Sequence, residues 1–194
     1  MKRSLCSVVV LAATLVSGCG TPSVHPLATQ STQTTDPALV GTWAKPGAAK
    51  DEAVYIVAKS GDHYSLVVDD RDPSKPEKWE FELRVVQLGK YKFVDVQPTE
   101  ADRKQLEDKW SSLVVPTHLF GRYAIEGDAL KFWILNEDWL EKSLSGDKVR
   151  LAHTQIEHGW VLITAETPEL QAFLKEHAED VGAFELNEFT RVKP

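Results

Sequence analysis

The chain has two cysteines among its 194 residues, Cys6 and Cys19, and none beyond position 19. A domain built from the residues after Cys19 has no disulfide of its own. It offers no thiolate for catalysis or for holding a metal, and must fold on its apolar core alone. No apolar run reaches 18 residues, whereas a membrane-spanning helix takes about 20. Positive charge is scarce: 22 Lys and Arg face 29 Asp and Glu, a formal net charge of −7. That balance argues against nucleic acid as a partner, which needs a basic patch, and against a broad electrostatic contact with anionic lipid. Reaction signatures are missing as well. There is no Gly-x-Ser-x-Gly elbow, no phosphate-binding glycine loop and no His-Glu-x-x-His. No internal repeat of fixed period is present.

What the chain does have begins at its N-terminus. Lys2 and Arg3 precede the apolar stretch Leu5 to Val16, which ends at Ser17-Gly18-Cys19. A basic start, a short apolar run and small residues at its end are the layout of a secretory signal peptide. Val16-Ser17-Gly18-Cys19 resembles the lipobox of bacterial lipoproteins. The resemblance implies a signal peptide over residues 1–18, cleavage between Gly18 and Cys19, and acyl chains such as palmitate on Cys19. Two or more chains anchor a protein stably, where one does not. Gly20, rather than an aspartate, follows the cysteine, which in such proteins implies an outer-membrane address facing the periplasm. Loss of Lys2 and Arg3 takes the net charge from −7 to −9.

Residues 19–36 are rich in Thr, Ser, Gln and Pro and poor in large apolar side chains. They read as the lipidated cysteine and a flexible tether spanning about 20–25 Å. The folded part then covers 37–194, a length suited to one domain.

That part reads as mainly β. Trp79, Phe81, Leu83 and Val85 alternate with Glu80, Glu82 and Arg84, the period of two of a strand with one apolar face. Successive hairpins are predicted around Gly61, Gly89, Gly127 and Gly159, with a first strand over 39–44 and a last over 184–192. About ten short strands suggest an antiparallel meander that closes into a barrel or a strongly curved sheet, which removes exposed edges. Two or three helices lie at its periphery. The first opens with a Thr99–Asp102 capping box and carries Leu106 and Trp110. A second covers Asn136 to Leu144. The third has Thr167 as N-cap, Pro168 in its first turn and an apolar stripe at Leu170, Phe173, Leu174 and His177.

Gly41-Thr42-Trp43 lies on the first strand of this β domain. A Gly-x-Trp there resembles the opening motif of lipocalins and related calycin barrels. The resemblance implies an eight-stranded barrel closed at one end by Trp43 and an arginine stacked on it from late in the chain. Arg191 is the candidate. It follows the last helix, whereas the lipocalin arginine precedes it.

Other residue clusters suggest chemistry less strongly. Asp69-Asp70-Arg71-Asp72-Pro73 is dense in carboxylates, as a calcium loop is, but lacks that loop's glycine and distal glutamate and also reads as a polar turn. The six histidines, among them His118, His153, His158 and His177, show no zinc-ligand spacing. Neither catalytic nor metal residues are assigned, and no cofactor is expected. Ser111 and Ser112 stand near no evident base. Trp133 and Trp139 are candidates for a cavity wall or an exposed patch, with burial of Trp133 under the last helix as the plainer reading. Phe132 and Ile134 take the opposite face of that strand.

These observations lead to an envelope lipoprotein, membrane-anchored through Cys19. Its β domain is expected to be a non-enzymatic binding module for an apolar small molecule or an envelope protein. An assembly lipoprotein with a filled core is the alternative. A metal-dependent hydrolase using Asp70, Asp72, His153 or His158 is a third.

Overall fold

A computed structural model describes residues 20–74, 76–110, 115–155 and 160–193, without the side chains of 106–110. Gly18, Cys19, Ser111, Ser112 and His158 lie outside the described residues, as do the side chains of Leu106 and Trp110.

The strands are β1 (Gln33–Thr34), β2 (Gly41–Ala44), β3 (Val54–Ser60), β4 (His63–Asp70), β5 (Glu77–Leu88), β6 (Tyr91–Pro98), β7 (Leu119–Glu126), β8 (Ala129–Leu135), β9 (His153–Gln155), β10 (Val161–Ile163) and β11 (Phe184–Arg191). Three helices interrupt them: α1 (Glu100–Trp110), α2 (Glu137–Ser145) and α3 (Thr167–Glu176). Eight strands close into an antiparallel barrel, β2 to β8 in sequence and then β11, which returns to β2. The expected mainly β meander and its closure are thus the architecture of the molecule. The strands predicted on either side of Gly159, which itself lies outside the described residues, pair as β9 and β10, but as a separate two-stranded sheet.

Alternation decides what faces inward. Trp79, Phe81, Leu83 and Val85 of β5 sit in register with Val68, Leu66, Tyr64 and Val94 of neighbouring strands, on the inner face. Lys78, Glu80, Glu82 and Arg84 point outward. An apolar interior and a charged wall are the reverse of a membrane-spanning barrel, whose outer face meets lipid.

Two apolar cores result. One fills part of the barrel and includes Trp43, Val57, Tyr64, Leu83, Val94, Tyr123, Leu130 and Phe189. The other lies outside the wall, where Val86, Leu88, Phe93 and Phe120 meet Leu140 of α2 and Leu170, Phe173 and Leu174 of α3. The apolar stripe of α3 therefore packs on the sheet. Its cap differs from the sequence expectation. Glu166 occupies the N-cap without a side-chain bond. Thr167 instead donates from Oγ1 to the Pro26 carbonyl at 2.6 Å. Asn136 caps α2 through Trp139 N–H, and Thr99 and Asp102 form the box that opens α1.

The Pro26 contact belongs to the main departure from expectation. Residues 20–36 are no flexible tether. They form a strap along the outside of the barrel and belong to the folded unit. Leu27 is 0% exposed within the outer core. Ser23 pairs with His118 on one side and Ile163 on the other. Gln171 donates to the Leu27 carbonyl at 2.7 Å. Strand β1 pairs with Val85 and Val86 of β5 at the stretch where β4 has ended. Composition misleads here because one buried leucine and a set of backbone hydrogen bonds suffice to hold the segment, and its many Thr, Ser and Gln side chains supply further bonds. Leu27→Ala is expected to cost about 2–5 kcal/mol as a buried large-to-small change. Urea denaturation measures it, and a loose tether would give no change.

Candidate functional site

The barrel has two unlike ends. One gathers the starts of β2, β4, β6 and β8 and the ends of β3, β5, β7 and β11. The strap turns in there, and its short 3-10 helix Pro37–Leu39 forms a floor. Trp43 donates from Nε1 to the Leu39 carbonyl at 2.9 Å. The Arg191 guanidinium stacks 4.2 Å above the Trp43 ring centre. It also donates to the carbonyls of Val40 and Ala38 at 2.6 and 2.7 Å. Trp43 and Arg191, the pair expected to close the barrel, are in contact at this end and are cross-strand partners.

Beneath them lies Asp36, also buried. Its Oδ2 accepts from Lys92 Nζ at 2.7 Å and from the Tyr123 hydroxyl at 3.0 Å. Its Oδ1 accepts from Ala38 N–H, and its own N–H donates to the Tyr64 hydroxyl. Burial works against ionisation of Asp36, but the bonds from Lys92 and Tyr123 and the Lys92 charge outweigh it and hold the carboxyl below its ordinary value. Burial, reinforced by the Asp36 charge, pushes the Tyr123 phenol up, so it stays protonated and donates.

The opposite end is the mouth. Tyr55, Leu66, Trp79, Phe81, Val96, Leu119 and Phe132 face inward there by strand register, yet each keeps accessible surface. Their partial exposure places them towards the end of the barrel that the floor does not close. At the floor Trp43, Tyr64, Val85, Val94 and Phe189 are buried. Leu83 is buried as well, and so are Val68 and Ile134 nearer the mouth, so accessible surface there is confined to part of the inner wall. Gly121 makes room on the inner wall, since a side chain there would collide with the Phe132 ring.

A groove of about 480 Å³ lies outside the wall, between the strap and β5, β6 and the start of β7. Asp95, 3% exposed, is its centre. Asp95 Oδ2 accepts from the backbone N–H groups of Leu27 and Ala28 at 2.8 and 2.9 Å, and Oδ1 accepts from His118 Nδ1 at 2.7 Å. Bonding to a carboxylate fixes the proton on Nδ1 and leaves Nε2 as the second ring nitrogen. Thr29, the lining hydroxyl, is bonded to Ser31 and Thr32. The dyad therefore fastens the strap. Sequence reading missed it because residues 95 and 118 stand 23 positions apart and meet only across β6 and β7.

The remaining candidates disperse. Asp69 pairs with Arg71 and Lys78, while Asp70 and Asp72 accept from backbone N–H groups two residues on, which makes the carboxylate run a turn. His153 lies on β9 and bonds to the Leu151 carbonyl. Among the described residues no three His, Cys, Asp or Glu converge as metal ligands. Trp133 faces outward, with Arg122 stacked on it at 4.3 Å and the rings of Tyr91 and Phe184 beside that cation. Trp139 packs on Phe173 and His177 of α3. Neither tryptophan lines the barrel interior: residue parity on β8 gives that face to Phe132 and Ile134, and Trp139 lies on α2 in the outer core.

No family model matches the chain, and no curated protein or solved structure is significantly similar to it.

Arg191→Ala is expected to cost about 2–4 kcal/mol, from the lost cation–π contact and two charged hydrogen bonds. Lysine at this position should not restore it, since it lacks the planar fork. Melting temperatures of the two variants check this. Asp36→Asn should cost about 1.5–3 kcal/mol near neutral pH. A depressed carboxyl value contributes stability that is complete above the ordinary 3.8. That contribution is lost as pH falls through the lower folded value. The gap between wild type and Asp36→Asn should therefore narrow from about pH 5 towards about pH 2 in denaturation curves.

Proposed function

We propose that this protein is a lipid-anchored binding barrel of the bacterial envelope that takes an apolar small molecule through its mouth. The observation that carries the reading is the gradient along the barrel axis. A sealed, hydrogen-bonded floor at Trp43, Arg191 and Asp36 gives way to inward-facing aromatic and aliphatic side chains that keep accessible surface. An eight-stranded barrel has an interior of the size that holds one small ligand. The lipobox supplies the anchor at Cys19, and Gly20 supports an outer-membrane site facing the periplasm. The likeness to lipocalins rests on Gly41-Thr42-Trp43 and Arg191, and the Trp43–Arg191 stack supports it. Neither a cofactor nor nucleic acid enters this reading. A hydrolase finds little support, since Asp70 and Asp72 belong to one internally bonded turn and His153 lies on β9, bonded to the Leu151 carbonyl.

A second reading, docking of an envelope protein, is favoured by one feature. Leu186 of β11 stands 49% exposed beside its cross-strand partner Trp133 on the outer wall.

Titration of the Cys19→Ala protein with a dansyl-labelled fatty acid tests the ligand reading. Saturable fluorescence enhancement is expected, weakened at least about tenfold by Leu66→Trp or Val96→Trp, which fill the mouth half. The outward neighbour change Lys131→Ala should leave it unaltered. Equal binding by all variants would move the site elsewhere. Metabolic labelling with a clickable fatty acid tests the anchor, and label persisting in Cys19→Ala would remove it.

A further inference from the structure

We infer that the barrel mouth is held against the bilayer that carries the anchor, and that the ligand class is a lipid acyl chain exchanged directly with that bilayer. The inference rests on the proposed lipid anchor and binding barrel and adds the orientation and the source of the ligand. Its starting point is where the described chain begins. A Cβ built on Gly20 would stand 3.4 Å from Ile134 Cγ2 and 3.7 Å from Leu119 Cδ2. Both are inward-facing residues at the mouth end of β8 and β7. The anchor residue is the one before Gly20.

From there the chain has no slack. Thr21 and Ser23 are buried. Ser23 and His118 exchange backbone bonds at 2.9 and 2.8 Å, Ile163 N–H donates to Pro22 at 2.9 Å, and Val24 N–H donates to Ile163 at 3.0 Å. A flexible tether over this stretch would let the domain stand about 20–25 Å from the membrane. The fixed strap replaces that reach with one Cα–Cα step of about 3.8 Å plus a side chain. Repulsion between an acidic domain and anionic lipid cannot lift the mouth away over so short a link. The floor lies roughly 20 Å further off, from eight-residue strands at about 3.3 Å per residue and a tilt near 40°.

The mouth end also exposes apolar side chains suited to a lipid surface. Val181, on the turn entering β11 at this end, is 98% exposed. Trp160 is 42% exposed. Ser23 and Ile163 pair in parallel, and Trp160 precedes Ile163 by three residues as Gly20 precedes Ser23. Trp160 therefore leads into its strand alongside the chain start, and tryptophan favours the membrane interface. An apolar interior opening beside lipid takes up acyl chains without carrying them through water.

Site-directed labelling tests this in the acylated protein, where an introduced cysteine is the sole free thiol. Val181→Cys at the mouth and Val192→Cys at the floor are labelled with a nitrobenzoxadiazole dye. The proteins are then reconstituted in phosphatidylethanolamine–phosphatidylglycerol vesicles containing a nitroxide lipid. The expected result is quenching at 181 several-fold above that at 192. Fifteen Gly and Ser residues inserted between Cys19 and Gly20 should equalise the two. The same insertion should slow transfer of a dansyl fatty acid from vesicle to protein several-fold, with its affinity measured in solution unchanged. Equal or reversed quenching in vesicle-bound protein without the insertion overturns the orientation alone. Equal transfer with and without the insertion overturns direct exchange. Failure of the protein to float with vesicles removes the anchor and the inference together.

Discussion

The barrel depends on a seam. Its other strand pairs run over four to eight residue pairs, but β2 and β11 meet through two, Trp43 with Arg191 and Ala44 with Thr190, and one further backbone bond from Val192 to Thr42. So short a ladder leaves little backbone bonding to hold the sheet closed. Arg191 compensates by stacking on Trp43 and gripping the carbonyls of Ala38 and Val40. One guanidinium thereby ties the last strand, the first barrel strand and the floor together. Gly41 makes this approach possible: its φ of 146° is one L side chains rarely adopt, and a Cβ there would collide with the guanidinium.

The strap follows from the same need to satisfy buried groups. It runs from the mouth to the floor across the outer wall and brings its backbone into a partly apolar setting. Asp95 meets two of its N–H groups, Thr167 and Gln171 meet two of its carbonyls, and His118 and Ile163 pair with its first turn. These contacts join the floor, the helices and the chain start into one body. The chain at Gly20 is thereby fixed relative to the mouth.

Sealing one end and opening the other gives the interior a polarity. At the floor, polar groups are paired among themselves around Asp36, so none is left to compete for an apolar guest. At the mouth the inner wall carries aromatic and aliphatic side chains, with Glu185 and Asn187 of β11 on the same face by register, and Gly121 trades a side chain for the Phe132 ring. The outer Asp95–His118 pair, which resembles part of a catalytic constellation when seen alone, serves to hold the strap.

Much of this was legible in the chain. The alternation from Trp79 to Val85 gave strand and facing, because side-chain period two is a local property. Gly61, Gly89 and Gly127 marked hairpins because turns need positive φ. The stripe of α3 and the caps of α1 and α2 were local too. Trp43 and Arg191 were matched only through the resemblance to lipocalins, and they stack in the fold. The tether was misread, since composition weighs a segment by its average while one buried Leu27 decides its fate. The roles of Thr167, Asp95 and His118 were hidden, since each acts on residues far along the chain. By itself the sequence determined a mainly β fold with no cysteine after position 19. Only the tertiary structure decided which end is sealed, which face of β8 lines the interior, and that Gly20 lies beside the mouth. Those depend on closure, which brings distant strands into register and which no local pattern records.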